Sequence, residues 1–232
     1  MIGRTQRLTV AASALLANVA LAQSDGFETY IAGTQLHHIN GWAGWDDSQP
    51  QAALVSTAHA RDGSRCVDIV GTPSSANCID QVRTYSQTSG QWRFTAWQYI
   101  PTGATGGTYL ILMNMYAPGG VKYWSTQVYF DLNSNHVYDN LPWGSTGYSV
   151  PLVRDQWVLV EVDIDLDLNT QKIYYGGQLI LNGAWTRMGG PREIAAVDLY
   201  AYTAAHVYYD DVALTTAHPK LRVTTWREAE AH

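Results

Sequence analysis

Apolar and polar residues alternate with a period of two through most of the chain, the spacing of strands that bury one face. The clearest runs are QWRFTAWQYI (91–100), TYLILMNMY (108–116), KYWSTQVYFDL (122–132), WVLVEVDIDL (157–166), QKIYYGGQLI (171–180), AAVDLYAYT (195–203) and VYYDDVAL (207–214). Turn-forming clusters such as PTGATGG, APGG and DLNSN separate them. No long stretch after Ala22 has helical periodicity. Many strands, short turns and no helices predict an all-β fold, a two-sheet antiparallel sandwich of the jelly-roll type.

The first 22 residues break the pattern. Arg4 and Arg7 precede an uncharged apolar run from Leu8 to Ala22, and Ala20-Leu21-Ala22 has the small, spacer, small form that signal peptidase accepts. The run is too short for a membrane span. The expectation is a signal peptide over 1–22, a β-sandwich domain over 23–215, and a tail or linker over 216–232 where alternation is lost. Such a protein is secreted or periplasmic, and it is expected to act as a monomer. The leader contains two of the 14 basic residues, so 12 remain against 20 acidic ones, a net charge of −8. That charge repels phosphate backbones and anionic lipid, so neither nucleic acid nor a membrane is an expected partner.

Export also bears on Cys66 and Cys78, because disulfides persist outside the cytoplasm. A bridge between them would close a short loop over GTPSSAN, a hairpin staple worth roughly 3 kcal/mol in the chain-entropy model. The alternative is two separate buried thiols.

Aromatic usage points to a ligand class. With 9 Trp and 15 Tyr against 3 Phe, the rings are mostly of the amphipathic kind that can face both a core and a wet groove. Strand alternation groups Trp97 with Tyr99, Tyr123 with Gln127 and Tyr129, and Asp198 with Tyr200 and Tyr202, while Asn114 and Tyr116 extend the set. Such faces can stack pyranose rings and bond hydroxyls, which suggests extracellular carbohydrate as the partner. Tyr and Trp also fill sandwich interiors, the competing explanation. Trp42 and Trp45 in INGWAGWDD occupy a loop-like segment where they could clamp a ligand or cover the end of the core, and the cover is the expectation.

EVDIDLD (161–167) sets an acid at every second position. Val158, Val160, Val162, Ile164 and Leu166 then face the core, and Glu161, Asp163, Asp165 and Asp167 face outward. A solvated face accounts for these acids without chemistry. The row also resembles the E-x-D-x-(x)-E strand of family-16 glycoside hydrolases, which implies Glu161 as nucleophile, Asp163 as helper and Asp165 as acid/base of a retaining hydrolase. Asp165 is shorter than the Glu of that pattern, and the family's glycine and tryptophan surroundings are missing. Retention needs carboxyls about 5 to 5.5 Å apart, whereas residues four apart on a strand lie roughly 13 Å apart.

A broader resemblance covers most of residues 25–214. DQWVLVEVDIDLDLNTQKIYYGGQLI resembles the strand pair of laminin G-like and other concanavalin A-like lectin/glucanase modules. DGFETYIAGTQL (25–36) and VYYDDVAL are similar to the first and last strands of such modules in secreted bacterial proteins and calcium-dependent carbohydrate-binding domains. The resemblance implies a concanavalin A-like jelly roll that binds carbohydrate. It also implies a structural calcium held by Glu28 and Asp211, with Asp25 and Asp210 as helpers, since calcium takes six to eight hard oxygens. The alternative is that Asp210 and Asp211 only end a strand. A structural or adhesive module that binds protein is the remaining competitor. The seven histidines show no metal-ligand spacing, and no nucleophile elbow or phosphate loop occurs. The Arg-rich strand, Gln/His pair and Tyr of polysaccharide lyases on this fold cannot be placed.

Overall fold

The computed structural model describes residues 23–141 and 148–217. The expected signal peptide and residues 218–232 of the expected tail lie outside the described residues. Among the described residues, fifteen strands form two antiparallel sheets and the only helical elements are two 3₁₀ turns, Trp45–Asp47 and Gln49–Gln51.

The first sheet, A, runs β13 (Gln178–Ala184), β12 (Thr170–Tyr175), β11 (Trp157–Asp165), β6 (Gln91–Tyr99), β15 (Val207–Thr216), β4 (Cys66–Ile69), β3 (Leu54–Ser56). The short β1 (Gln23–Asp25) pairs with β15 at residues 212–214. The second, B, runs β10 (Ser149–Pro151), β9 (His136–Asp139), β8 (Tyr123–Asp131), β7 (Gly107–Met115), β14 (Ile194–Tyr200), β5 (Asp80–Gln87), β2 (Trp42–Gly44).

Alternation places the core between the sheets. Val160 and Val162 of β11, Phe94 of β6 and Ile173 of β12 are fully buried from one side, and Leu110, Leu112, Val128, Phe130, Val197 and Leu199 from the other. Polar ties cross this layer, among them one in which Thr126 Oγ1 donates to Gln171 Oε1 (2.5 Å) and Gln171 Nε2 donates to the Ser125 carbonyl (2.6 Å). A buried amide must be satisfied in this way, because leaving it unpaired costs about 1–3 kcal/mol.

Two expectations need correction. QKIYYGGQLI is two strands rather than one, reversed at Gly176 (φ 55°) and Gly177 (φ 77°). That left-handed pair is the backbone a two-residue hairpin requires, and glycine adopts it without steric cost. Cys66 and Cys78 do not form a disulfide; both are free and buried. Alternation turns Cys66, with Asp68, to the outer side of sheet A, whereas Cys78 joins the main core just ahead of β5 in sheet B. The two thiols therefore belong to different layers and cannot staple one hairpin.

Candidate functional site

The outer face of sheet B gathers the site. Because Val197 and Leu199 point inward, β14 must turn Asp198 and Tyr200 outward. Strand register then builds one rung across five strands: Tyr138, Tyr129, Tyr109, Tyr200 and Asp80 are successive cross-strand partners. The rings are in contact, with Tyr109 centred 4.6 Å from Tyr129 and 5.8 Å from Tyr200, and Tyr129 5.4 Å from Tyr138. A second rung holds Gln127, Ile111, Asp198 and Val82. Trp45, Trp124 and Tyr202 complete the walls of a cavity of about 290 Å³.

Its floor carries a carboxyl pair. Asp80 and Asp198 are 9% and 2% exposed, share a hydrogen bond, and each keeps one buried oxygen, Oδ1, without a partner. Burial pushes Asp80 up to about 6, and the charge of Asp46 adds to the rise while the hydrogen bond from Asp198 opposes it. Asp198 is raised further, first by burial and then by the neighbouring Asp80 charge and its hydrogen bond. Two buried carboxyls in contact cannot both ionise cheaply, so Asp198 holds the proton and donates to Asp80. Their contact is far shorter than the carboxyl separations of about 5 to 9.5 Å used by glycosidases.

The residues proposed from the sequence are distributed over three places. Gln127, Tyr129, Tyr200 and Tyr202 meet in this cavity or its rung. Trp97 and Tyr99 lie on the opposite outer face, that of sheet A, where Arg61 sits 4.1 Å over the Trp97 ring and His59 stacks 4.2 Å from Tyr99. Asn114 and Tyr123 are used beneath the 189–191 loop, where Asn114 Nδ2 donates to the carbonyls of Gly189 and Pro191 and Tyr123 lies against Gly190. Two offset bulges cause this: Ser125 is the extra residue on β8 and Asn114 on β7, so Trp124 replaces Tyr123 on the outer face opposite Met113. Trp42 is fully buried in the core, as a cover should be, while Trp45 forms a cavity wall.

The acidic row occupies the outer face of sheet A, on the far side of the sandwich from the tyrosine rung. Asp163 lies between Arg93 and Lys172 in register, and Arg93 Nε reaches Asp163 Oδ1 at 2.7 Å and Glu161 Oε2 at 3.7 Å. Asp165 accepts from Gln91 Nε2 (2.8 Å) and from the Leu168 amide of the following turn (2.8 Å). These are the cross-strand ion pairs and turn bonds of a solvated strand.

The four carboxylates assigned to calcium all border the start of the domain and the 61–65 loop. Asp25 accepts from the Phe27 amide, Tyr30 and Trp42. Asp210, raised to about 6 by burial, accepts from the amides of Arg61 and Asp211. Glu28 accepts from the amides of Ser64 and Arg65, and the first of these bonds holds its carboxyl below the usual range against its small desolvation. Asp211 pairs with the Arg61 guanidinium. A cation bridging Glu28 and Asp211 would therefore have to displace Arg61. Elsewhere, left-handed backbone at His38 and Asp47 brings His37, His38 and Asp47 together with ligand-type atoms within 4.8 Å of one another, a grouping that histidine spacing in the sequence did not indicate.

Asp80 and Trp124 were hidden from sequence reasoning. β5 turns Gln81, Arg83 and Tyr85 inward, so it lacks the apolar alternation that reveals a strand. Trp124 depends on a bulge.

No family model matches the chain and no curated protein matches it. Among solved structures it is similar to a cellulose induced protein, Cip1 (22% identity, TM-score 0.56, 84% of this chain and 97% of that one). It is also similar to the alginate lyase Aly36B (15% identity, TM-score 0.54, 86% of this chain and 100% of that one). With two antiparallel sheets and almost no helix among its described residues, the chain has the concanavalin A-like jelly-roll fold.

Proposed function

We propose that this is an exported carbohydrate-binding domain whose ligand lies on the outer face of sheet B, stacked on the tyrosine rung and hydrogen-bonded to Gln127 and the Asp80–Asp198 pair. The observation that carries the reading is the cavity itself: half-buried rings surround a floor with unpartnered, buried carboxyl oxygens. Flat rings supply the faces that sugar C–H groups contact, and the oxygens take up hydroxyl protons. Likeness in fold to an alginate lyase and to a cellulose induced protein supports a polysaccharide context. Binding is favoured over hydrolysis because the carboxyl pair is in direct contact and the Glu161 row is already engaged by Arg93.

The test is affinity electrophoresis or calorimetry of the purified protein against a panel of polysaccharides. Trp124→Ala should weaken binding about 10-fold, the value of a stacking contact near 1.5 kcal/mol. Glu161→Gln, on the other face, should bind as the wild type does. Binding lost with Glu161→Gln and kept with Trp124→Ala would place the ligand on sheet A, and a protein ligand competing for Trp124 would favour the adhesive alternative.

A further inference from the structure

We propose that the sugar recognised in the sheet B cavity carries a protonated amine, as in a polymer of unacetylated 2-amino-2-deoxyhexose, with its ammonium group seated on Asp80 and Asp198. This rests on the carbohydrate reading of the cavity and names the class of sugar it takes. The first support is charge: the described residues that line the cavity include two carboxyls and no basic side chain. The nearest lysine is already used, because Lys122 Nζ lies 2.6 Å from Asp46 Oδ1 and its side chain is only 10% exposed. A uronate carboxylate would meet Asp80 and Asp46 with like charge, and Lys122, over the Trp45 ring, is already neutralised by Asp46.

The second support is unsatisfied valence. Asp80 Oδ1 and Asp198 Oδ1 are buried acceptors with nothing donating to them, on residues that line the cavity. An unmet buried acceptor is destabilising, and more so when charged. An ammonium offers three donors from one atom, whereas a hydroxyl offers one.

The third is the wall. Trp45, Trp124, Tyr109 and Tyr200 surround the pair, and aromatic faces attract cations, most strongly where water is excluded. The groups facing the pair are Asp46 on the 45–47 turn, Tyr109 on β7, Tyr116 beyond β7, Tyr200 on β14, and Cys78 ahead of β5. Lys122, 4.9 Å over the Trp45 ring, is positive but is paired with Asp46, so Asp80 provides the countercharge whenever it is ionised. Below about pH 6 its protonation removes that charge.

The experiment is calorimetry of the full chain with four β-linked tetrasaccharides: glucosamine, N-acetylglucosamine, glucose and a uronate. The amine tetramer should bind about 10- to 100-fold tighter than its acetylated and hydroxyl counterparts at low salt, as charge-assisted hydrogen bonds replace neutral ones. That advantage should shrink with added salt, vanish below pH 6, and be lost in Asp80→Asn and Asp198→Asn. Melting at about pH 4, where Asp80 and Asp198 are neutral in the wild type, checks that the Asn variants fold. Equal or tighter binding of the glucose or uronate tetramer, still sensitive to Trp124→Ala, would overturn the amine assignment and leave the carbohydrate site standing. If none of the four, nor any polysaccharide of the panel, binds, both fall.

Discussion

Replacing Asp80 with Asn probes the carboxyl pair through stability alone, without any ligand. In the unfolded chain Asp80 titrates at 3.8 and in the fold at about 6. A raised carboxyl means that the fold holds its proton more tightly than the unfolded chain does. The associated stabilisation is complete below about pH 4 and is lost as pH rises towards 6. A rise from 3.8 to about 6 corresponds to about 3 kcal/mol. Asp80→Asn keeps the size and an acceptor oxygen for the Asp198 proton while abolishing this ionisation. Wild type and variant should therefore unfold with similar free energies at about pH 4, and the variant should gain by up to about 3 kcal/mol at pH 8. For a domain of about 200 residues that is roughly 6–12 °C in Tm. Urea titrations at several pH values, with the m-value monitored for two-state behaviour, measure it. Parallel pH profiles for the two proteins would refute the buried, proton-sharing pair.

Gly107→Ala should displace Tyr129, since a Cβ there would collide with the end of that ring; we expect about 1–3 kcal/mol of destabilisation and weaker glycan retention, read from melting and affinity electrophoresis. Thiol titration of the unfolded protein should find two free cysteines, and a reductant should leave Tm unchanged; a reductant-dependent fall in Tm would restore the Cys66–Cys78 bridge. If calcium replaces Arg61 on Asp211, a chelator should lower Tm and Glu28→Gln should remove that response, in proportion to the logarithm of free calcium; a Tm indifferent to both would remove the ion.

The sequence by itself determined the sandwich, because a period of two over nine-residue runs leaves an antiparallel strand as the only element that buries one face. It also determined which way β11 lies: four branched aliphatics inward oblige Glu161, Asp163 and Asp165 to point out. The DLNTQ turn was equally legible, since Asp165 accepts the Leu168 amide as its residue type suggests. Only the tertiary structure decided which outward faces are joined. Trp97 and the acidic row share sheet A, while Tyr129 and Tyr200 share sheet B, and alternation along one strand contains no information about which strands become neighbours. Bulges at Asn114 and Ser125 exchanged Tyr123 for Trp124, and β5 brought Asp80 beside Asp198 from a strand whose inward residues are polar. The carboxyl pair is separated by more than a hundred positions in sequence and exists through cross-strand register, the physical quantity that local pattern leaves open.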